Sequence, residues 1–458
     1  MGSAQGCKYF DNKALTTRHK MLFAIIILGT FFDQMDNYNF SFIAPAIMKQ
    51  WGVSLEQIAN INFMYFLSML VGGIFAGFLV DKWGRKKTLL TGILLFSVGS
   101  ILNGLATDIN MFLLTRCFTG FGVAGLIVTE PVYLSEMTPT TTRGKWGSLA
   151  LGLALISAPI IGSIAKIIIP ASAYGWRVIF FISGLGIFLF FLGVKYLVES
   201  PRWLMSKGRF EEANKAFKYL TGDDLTIDPT AVVTDKKTNV IEYLKVMFSK
   251  EYLRMTILLV TLSFAGVGAS FMFMSYSPTL LTKEGFSLAD SLRMSSLFSF
   301  GLPIGAIIAS YFTDKGGRKI PLSVTLFVYG VFAIIFGRVT HMDTNVIIAV
   351  GFIMAMCHIA WFSMSTTYIV ENYPTYLRGF AYGSVTYLAS RLGTTLAQKL
   401  VPVLYKEVGY ASYYLFIGIV LITFAVLVLI FGRKTAGIDL EELHGENTRC
   451  IKTEGVNV

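Results

Sequence analysis

The sequence predicts an all-α membrane protein in which twelve transmembrane helices form two pseudo-symmetric six-helix bundles. Three observations lead to this fold class. The chain of 458 residues is 54% hydrophobic and only 15% charged, whereas soluble domains carry about 25% charged residues. Its apolar segments reach the length of about 20 residues that a helix needs to cross a bilayer. Two motifs also occur twice, once in each half of the chain.

Twelve apolar segments satisfy the length criterion. Short polar breaks separate several of them, as at residues 106–110. Connections this short are typical of neighbouring antiparallel helices in a compact bundle. The predicted spans start near Met21, Ile58, Thr88, Met111, Gly147, Trp176, Leu253, Ser291, Pro321, Asn345, Phe380 and Tyr410.

The basic residues predict the orientation. Placing both termini in the cytoplasm puts most Lys and Arg of the short loops and tails on the inside, as the positive-inside rule requires. We expect a multi-pass protein of the plasma (cytoplasmic) membrane. Its predicted parts are a cytoplasmic tail (1–20), a first bundle (21–198), a polar cytoplasmic connector (199–252) with a short amphipathic helix near 210–220, a second bundle (253–432) and a cytoplasmic tail (433–458).

Several functions are excluded at this stage. The net charge of +11 comes from short clusters between apolar runs, so we expect no nucleic-acid partner. Four separated cysteines form no CxxC pair, and no nucleophile triad or phosphate loop is visible. The Gly-x-Gly-x-x-Gly pattern at 120–125 lies in an apolar helix and predicts helix packing. We therefore expect that the protein is not an enzyme and holds no metal or cofactor. We also expect a monomer whose partners are membrane lipids and a small-molecule solute.

Two motifs repeat at nearly the same offset. Gly77-x-x-x-Asp81-x-x-Gly84-Arg85-Lys86 follows the second span, and Asp314-x-x-Gly317-Arg318-Lys319 follows the eighth, 233 residues later. Glu136-x-x-Pro139-x-x-x-Arg143-Gly144 follows the fourth span, and Glu371-x-x-Pro374-x-x-x-Arg378-Gly379 follows the tenth, 235 residues later. Shared offsets of this kind indicate an internal duplication.

These motifs bring charges to the cytoplasmic helix ends. Asp81, Arg85 and Lys86 can pair with helix termini and with Glu136 and Arg143, in a network that holds the two halves together. The alternative is that the charges only anchor the helix ends at the lipid headgroups.

At these residues the chain resembles the major facilitator superfamily along its whole membrane region. Arg116-x-x-x-Gly120 is similar to the family's fourth-helix motif. Glu199-Ser-Pro-Arg202-Trp is similar to the sugar-porter branch and its relatives, which include nicotinate and aromatic-acid symporters and organic ion carriers. The resemblance implies alternating access and a cytoplasmic gate network of Asp81, Gly84, Arg85, Lys86, Glu136, Arg143, Glu199, Arg202, Asp314, Arg318, Glu371 and Arg378.

Charges inside the spans point to the site, because each costs at least about 2.5 kcal/mol to insert. Asp33, Asp36 and Asn37 of the first span share one helix face. By resemblance, Asp36 matches the first-helix aspartate of proton-coupled sugar porters, and Arg116 matches its fourth-helix partner. Protonation of Asp36 would then release Arg116 and shift the carrier between its states. A static buried ion pair is the alternative.

Glu130 lies inside the fourth span just before Pro131. Two interpretations stay open. It is either a second proton site, together with Asp33, or the partner of Lys166 in the fifth span. Lys166 can also extend to the outer interface, since Pro170 begins the next loop.

The second half supplies the remaining candidates for substrate binding. Arg391 lies well inside the eleventh span, where its planar fork of donors suits a carboxylate, unless an internal acid such as Glu130 neutralises it. His358 and Trp361 lie one turn apart in the tenth span. Together with residues of the first and seventh spans, the predicted substrate-binding set is Asn37, Phe271, Tyr276, His358, Trp361 and Arg391.

The pattern of hexose carriers fails in the seventh span. Ala265 and Gly266 occupy the positions of its glutamine pair, and Phe271 replaces its asparagine. Sugar hydroxyls would stay unpaired in such a site, at a large energetic cost. We therefore expect proton-coupled symport of a small aromatic or carboxylic acid, driven by the proton gradient. The alternatives are a sugar or polyol symporter that uses Asn37, Asn39 and Ser275, and a non-transporting sensor on a carrier scaffold.

Overall fold

The computed structural model describes residues 10, 16–139, 143–223, 240–315, 318–339, 343–373 and 377–433. Within these ranges the side chains of residues 143–145, 148, 240, 313–315 and 379 are not described. The described residues form helices, and no strand occurs among them.

The first half contains six membrane spans. Their ends follow local capping signals: Ser54 and Gln57 form a reciprocal capping box at one helix start, and Asp108 accepts the backbone N–H groups of Asn110 and Met111 at another. The sixth span is broken at Leu185–Gly186 into two short helices. The helices are α1 (Thr17–Trp51), α2 (Leu55–Trp83), α3 (Arg85–Leu105), α4 (Ile109–Met137), α5 (Arg143–Ala171), α6 (Gly175–Gly184) and α7 (Ile187–Tyr196).

The connector forms a helix where the sequence predicts one. This helix, α9 (Phe210–Thr221), turns Ala213, Ala216, Phe217 and Leu220 inward and its charged residues outward, which is the amphipathic pattern of a surface helix. The connector helices are α8 (Pro201–Ser206), α9 (Phe210–Thr221) and α10 (Val240–Met247).

The second half repeats the six spans with two irregularities. Five residues of the seventh span and eight of the eleventh are π-helical. Gly409 has φ +76°, which bends the last helix between the eleventh and twelfth spans. The elements are α11 (Leu253–Thr261), a π-segment (Leu262–Gly266), α12 (Val267–Lys283), α13 (Leu288–Ser299), α14 (Gly301–Lys315), α15 (Lys319–Phe336), α16 (Thr344–Glu371), α17 (Arg378–Ala381), a π-segment (Tyr382–Ala389) and α18 (Ser390–Phe431).

Length and composition alone identify ten candidate spans among the described helices. α1 is not one of the ten, because its polar patch at 33–39 lowers its hydropathy. The last helix is counted once although Gly409 divides it into two spans. With these two corrections the fold has the twelve spans that the sequence predicts.

Glycines allow the helices of the first half to approach closely. A Cβ atom added at Gly122 would lie 2.5 Å from the backbone nitrogen of Phe96, and one at Gly125 would lie 3.2 Å from the Cα atom of Gly92. Gly122 and Gly125 therefore pack α4 against α3, and Gly120 packs it against Tyr65 of α2. The glycine pattern at 120–125 serves helix packing, as its position in an apolar helix predicts.

The two halves meet along α1, α2 and α5 of the first and α12, α13 and α18 of the second. The even number of spans places the start of α1 and the end of α18 at the same end of the bundle, which is termed the termini end below. Most hydrogen bonds described between the halves lie toward the opposite end. They are Ser41–Met274, Asn62–Tyr276, Asn62–Gln398, Ser163–Ser296 and Lys399–Asn60, with Tyr387–Met69 nearer the middle.

Candidate transport site

A small cavity of about 30 Å³ lies between the halves, near the middle of α1. It has room for two or three water molecules, so the structure shows a closed site. Its lining is polar and aromatic, and Arg116 is its one charged residue within the described part of the chain. The lining residues are Gln34, Asn37, Tyr38, Phe40, Ser41, Asn62, Tyr65, Phe66, Arg116, Phe271, Met274 and Ser275.

Asp36 and Arg116 form the predicted ion pair directly behind this cavity. Nη1 of Arg116 donates to Oδ2 of Asp36 at 2.9 Å, and both side chains are buried. The hydroxyl of Ser100 donates to Oδ1 of Asp36 at 2.6 Å. Nε and Nη2 of Arg116 have no hydrogen-bond partner among the described residues. These two nitrogen atoms carry three N–H groups, so the guanidinium beside the cavity has unpartnered donors within the described structure.

Aromatic rings surround the guanidinium. The Cζ atom of Arg116 lies 4.0 Å from the ring centre of Tyr65, 5.4 Å from that of Phe40 and 5.7 Å from that of Phe180. These cation–π contacts stabilise a charge that has little access to water. The rings also hold the arginine in place.

Asn62, Tyr276 and Gln398 connect the halves beside the cavity, and of these only Tyr276 was predicted from the sequence. Nδ2 of Asn62 donates to the hydroxyl of Tyr276 at 3.4 Å and to Oε1 of Gln398 at 3.3 Å. All three side chains are buried. The sequence signal that could have identified Asn62 and Gln398 is a polar amide within an apolar span.

The predicted substrate residues separate into two groups. Asn37 and Phe271 line the cavity, and the ring of His358 packs edge-on against Phe271 with centroids 5.7 Å apart. Trp361 is fully buried and does not line the cavity. Arg391 does not line it either. Its Cζ atom lies 5.7 Å from the ring centre of Tyr387.

A second group of charges lies beside this site. Asp33 is buried and interacts electrostatically with Asp36, Arg391 and Glu130. Its Oδ1 atom has no hydrogen-bond partner among the described residues. Arg391 forms no ion pair within the described residues, so acids of the first half face it at longer range.

The alternative that Glu130 pairs with Lys166 is wrong. Glu130 lies seven residues before the termini end of α4, whereas Lys166 lies five residues before the opposite end of α5. The two helices have 29 residues each, so these positions differ by roughly 25 Å along the bundle. Glu130 instead lies beside Thr30 of α1.

Within the described residues, the ion pairs of the predicted gate network join helices of the same half. Arg85 forms a bidentate pair with Glu136 at 2.9 Å for both contacts and lies 3.6 Å from Asp81. In the second half Arg318 pairs with Glu371 at 2.9 Å, and Nε of Arg378 donates to the carbonyl of Tyr373. The exposed Arg202 belongs to α8 of the connector. The side chains of Arg143 and Asp314 lie outside the described residues.

Glu199 caps α3. Its carboxylate accepts the backbone N–H groups of Arg85 at 2.8 Å and Lys86 at 3.1 Å, which places a negative charge at the positive end of the helix. Burial raises the pKa of Glu199, although these N–H groups and that of Ser200 act in the opposite direction. Gly84 precedes α3 with φ +98°, and an added Cβ would collide with this carboxylate.

Two six-helix bundles with a buried ion pair at a polar cavity between them define a class of protein, the polytopic secondary transporters. The family model described as Major Facilitator Superfamily matches residues 26–398. The chain therefore belongs to this superfamily, and it is a multi-pass membrane transporter rather than an enzyme.

Individual relatives agree with this assignment. The chain is 30% identical over 431 residues to YyaJ of Bacillus subtilis, which is named as a metabolite transport protein, with 93% of this chain and 94% of that one covered. It is 24% identical over 441 residues to the niacin transporter NiaP of Acinetobacter baylyi, with 94% and 98% covered. The crystal structure of a D-xylose-proton symporter superposes with a TM-score of 0.74 at 18% identity, covering 92% of this chain and 99% of that one.

Proposed function

We propose that this transporter is a proton-coupled symporter of a small organic anion, an aromatic or carboxylic acid, that works by alternating access. The observation that carries the proposal is the state of Arg116. It is the one charged residue on the described wall of the cavity, and two of its nitrogen atoms, Nε and Nη2, have no partner within the described residues. A carboxylate matches the geometry of such a fork.

The same arginine supports proton coupling. While Asp36 is ionised, it neutralises Arg116 at 2.9 Å. Protonation of Asp36 removes this counter-ion and leaves an uncompensated guanidinium, which favours an anion in the cavity. A proton and a carboxylate then enter together, and the loaded site carries the same net charge as the empty one. Release of the proton restores the ion pair and expels the anion.

The aromatic lining favours a ring-bearing acid. Tyr65, Phe66 and Phe271 line the cavity, and the rings of Phe66 and Phe271 meet edge-on across the interface of the halves, with centroids 5.8 Å apart. The ring of a bound acid can pack against such side chains once the cavity opens. The similarity to a niacin transporter supports the same substrate class.

A sugar or polyol symporter is the second candidate. Gln34, Asn37 and Asn62 bring three amide groups to the cavity wall, and amides can pair with the hydroxyls of a sugar. The likeness to the D-xylose-proton symporter concerns the fold. We place this candidate second because it leaves the unpartnered donors of Arg116 without a function.

Uptake by purified protein in lipid vesicles separates the two candidates. We expect saturable, pH-gradient-driven uptake of labelled nicotinate or benzoate and no uptake of xylose or glucose. Asp36→Asn should abolish accumulation against a gradient but keep counterflow exchange, because its neutral amide mimics the protonated state. Asp33→Asn, on the same helix, shows whether the second buried acid also contributes.

Saturable hexose uptake without acid uptake would overturn the preferred substrate class. Unchanged accumulation by the Asp36→Asn protein would rule out Asp36 as the coupling site.

We further propose that the protein lies in the plasma membrane with both termini in the cytoplasm, since the basic residues concentrate at the termini end. Protease protection of a terminal tag in intact cells tests this orientation.

A further inference from the structure

A second pocket, of about 510 Å³, lies at the termini end of the first half, away from the transport site. α2 ends and α3 begins on one side of it, and α8 and α9 of the connector form the other side. It is termed the basic pocket. Its charged and aromatic lining residues are Lys86, Lys87, Arg209, Lys215, Glu199, Glu212, Trp83, Trp203 and Tyr219.

The acidic side chains of the basic pocket already have strong partners. Glu199 accepts three backbone N–H groups at 2.8–3.1 Å, and Glu212 forms a bidentate pair with Arg209 at 2.7 and 2.6 Å. Lys87 and Lys215 are exposed and form no hydrogen bond or ion pair within the described residues. Both lie within electrostatic range of Glu212. The two ammonium groups therefore face one region from opposite walls and keep their donors free.

The pocket lies where helices leave the apolar part of the bundle. The second span ends at Trp83 and the sixth at Tyr196, and such aromatic residues are typical of the membrane interface. The surface beside the pocket is apolar: Trp83 is 46% exposed and Val194 50% exposed. Nζ of Lys86 donates to the carbonyl of Val194 at 3.3 Å. The mouth of the pocket is thus continuous with the lipid-facing surface.

We propose that the basic pocket binds the phosphate headgroup of an anionic phospholipid, with Lys87 and Lys215 contacting the phosphate and the acyl chains lying along Trp83 and Val194. Lysines at the headgroup level attract anionic lipids, and the adjoining apolar surface suits a ligand with a hydrocarbon tail. Lys87 belongs to α3 and Lys215 to α9, so a bound lipid connects the first bundle to the connector. This proposal does not depend on the identity of the transported solute.

Native mass spectrometry of the detergent-solubilised full-length protein tests the site. Dioleoyl phosphatidylglycerol is titrated against dioleoyl phosphatidylcholine for the wild type, for Lys87→Gln/Lys215→Gln and for Lys245→Gln/Lys250→Gln. The last pair removes the same charge from exposed lysines of α10 and of the turn that follows it, outside the pocket. We expect the wild type to prefer phosphatidylglycerol by at least about tenfold, the pocket variant to lose this preference and the control variant to keep it.

Two results would overturn the proposal. The pocket variant and the control variant could retain the same preference, which would mean that attraction of anionic lipid is spread over the whole surface. Alternatively, excess inorganic phosphate could displace phosphatidylglycerol completely, which would identify the pocket as a site for a soluble anion. Because both substituted lysines are exposed, the variants should keep the wild-type melting temperature, which circular dichroism checks.

Discussion

Arg116 is a permanent positive charge in the interior of the bundle, and its neighbours determine what it can bind. Asp36 accepts a hydrogen bond from one nitrogen atom of the guanidinium, and three aromatic rings surround its Cζ atom. The other two nitrogen atoms have no partner within the described structure. The pairing with Asp36 was predictable, because a charge in an apolar span needs a partner and the resemblance supplied it. The unpartnered donors of Arg116 were not predictable, since they depend on side-chain geometry.

Other residues of the site depend on contacts that no motif encodes. Asn62 and Gln398 meet across the two halves although 336 positions separate them. Trp361 was predicted to contact the substrate, and in this closed structure it is fully buried and does not line the cavity. Sequence patterns show which span carries a polar or aromatic residue. They do not show the rotation of that span about its axis, which decides what the residue faces.

Both the backbone conformation and the limited space at position 84 require glycine. Its φ of +98° is unfavourable for residues with a side chain, and a Cβ atom would collide with the Glu199 carboxylate that caps α3. We expect Gly84→Ala to destabilise the protein by about 1–3 kcal/mol, seen as a lower melting temperature in detergent. Gly77→Ala is the matched control, because no atom lies within 4 Å of its added Cβ. Equal melting temperatures of the two variants would contradict this role of Gly84.

At the scale of elements, the spans follow directly from hydrophobic length and capping residues. The bilayer fixes the length of a helix, so apolar segments of about 20 residues were sufficient to predict all twelve. The π-helical segments and the break in the sixth span were not predicted, because they depend on packing against neighbouring helices. α9 was predictable from its amphipathic pattern alone.

The start of α1 docks on α9 through a buried histidine. The ring of Phe10 packs against those of His19 and Phe217, with centroids 4.9 and 5.3 Å away, and Thr16 donates to the carbonyl of Leu220. His19 lies before the apolar stretch that begins at Met21. Burial lowers the pKa of His19 from 6.5 to about 4, against a smaller effect of the Leu220 carbonyl.

A lowered pKa means that the folded state favours neutral His19. The contribution of buried, neutral His19 to the free energy of unfolding is therefore complete above pH 6.5. It is lost as the pH falls toward 4, by up to about 1.4 kcal/mol per pH unit. We expect His19→Phe, which cannot be protonated, to melt at a progressively higher temperature than the wild type as the pH falls from 7 to 5. A constant difference in melting temperature across this range would show that His19 titrates as it does in the unfolded chain.

At the scale of the whole molecule, the halves are closed toward the end opposite the termini. Gly162 of α5 lies between α1 and α13, and its added Cβ would be 2.8 Å from the ring of Phe42 and 3.1 Å from the Cα atom of Ser296. A larger residue here would act as a wedge between the halves. The cavity is too small for an organic acid, so the transporter must open to load.

Gly162→Leu should therefore disfavour this closed state by at least about fivefold. We expect faster labelling of a cysteine at the cavity position Ser41 by a membrane-impermeant maleimide added at the opposite end, together with slower uptake. Gly152→Leu is the matched control on the same helix, because Gly152 has open space around it. Unchanged labelling in the Gly162→Leu protein would mean that this contact does not close the site.

The central claim is that a proton on Asp36 and an anion at Arg116 bind together, and calorimetry tests it most directly. Nicotinate binding to the purified protein is measured near pH 7 in buffers of different ionisation enthalpy, which gives the number of protons taken up. We predict uptake of about one proton per anion by the wild type and none by Asp36→Asn. Anion binding without proton uptake by the wild type, or unchanged proton uptake by the variant, would contradict the mechanism.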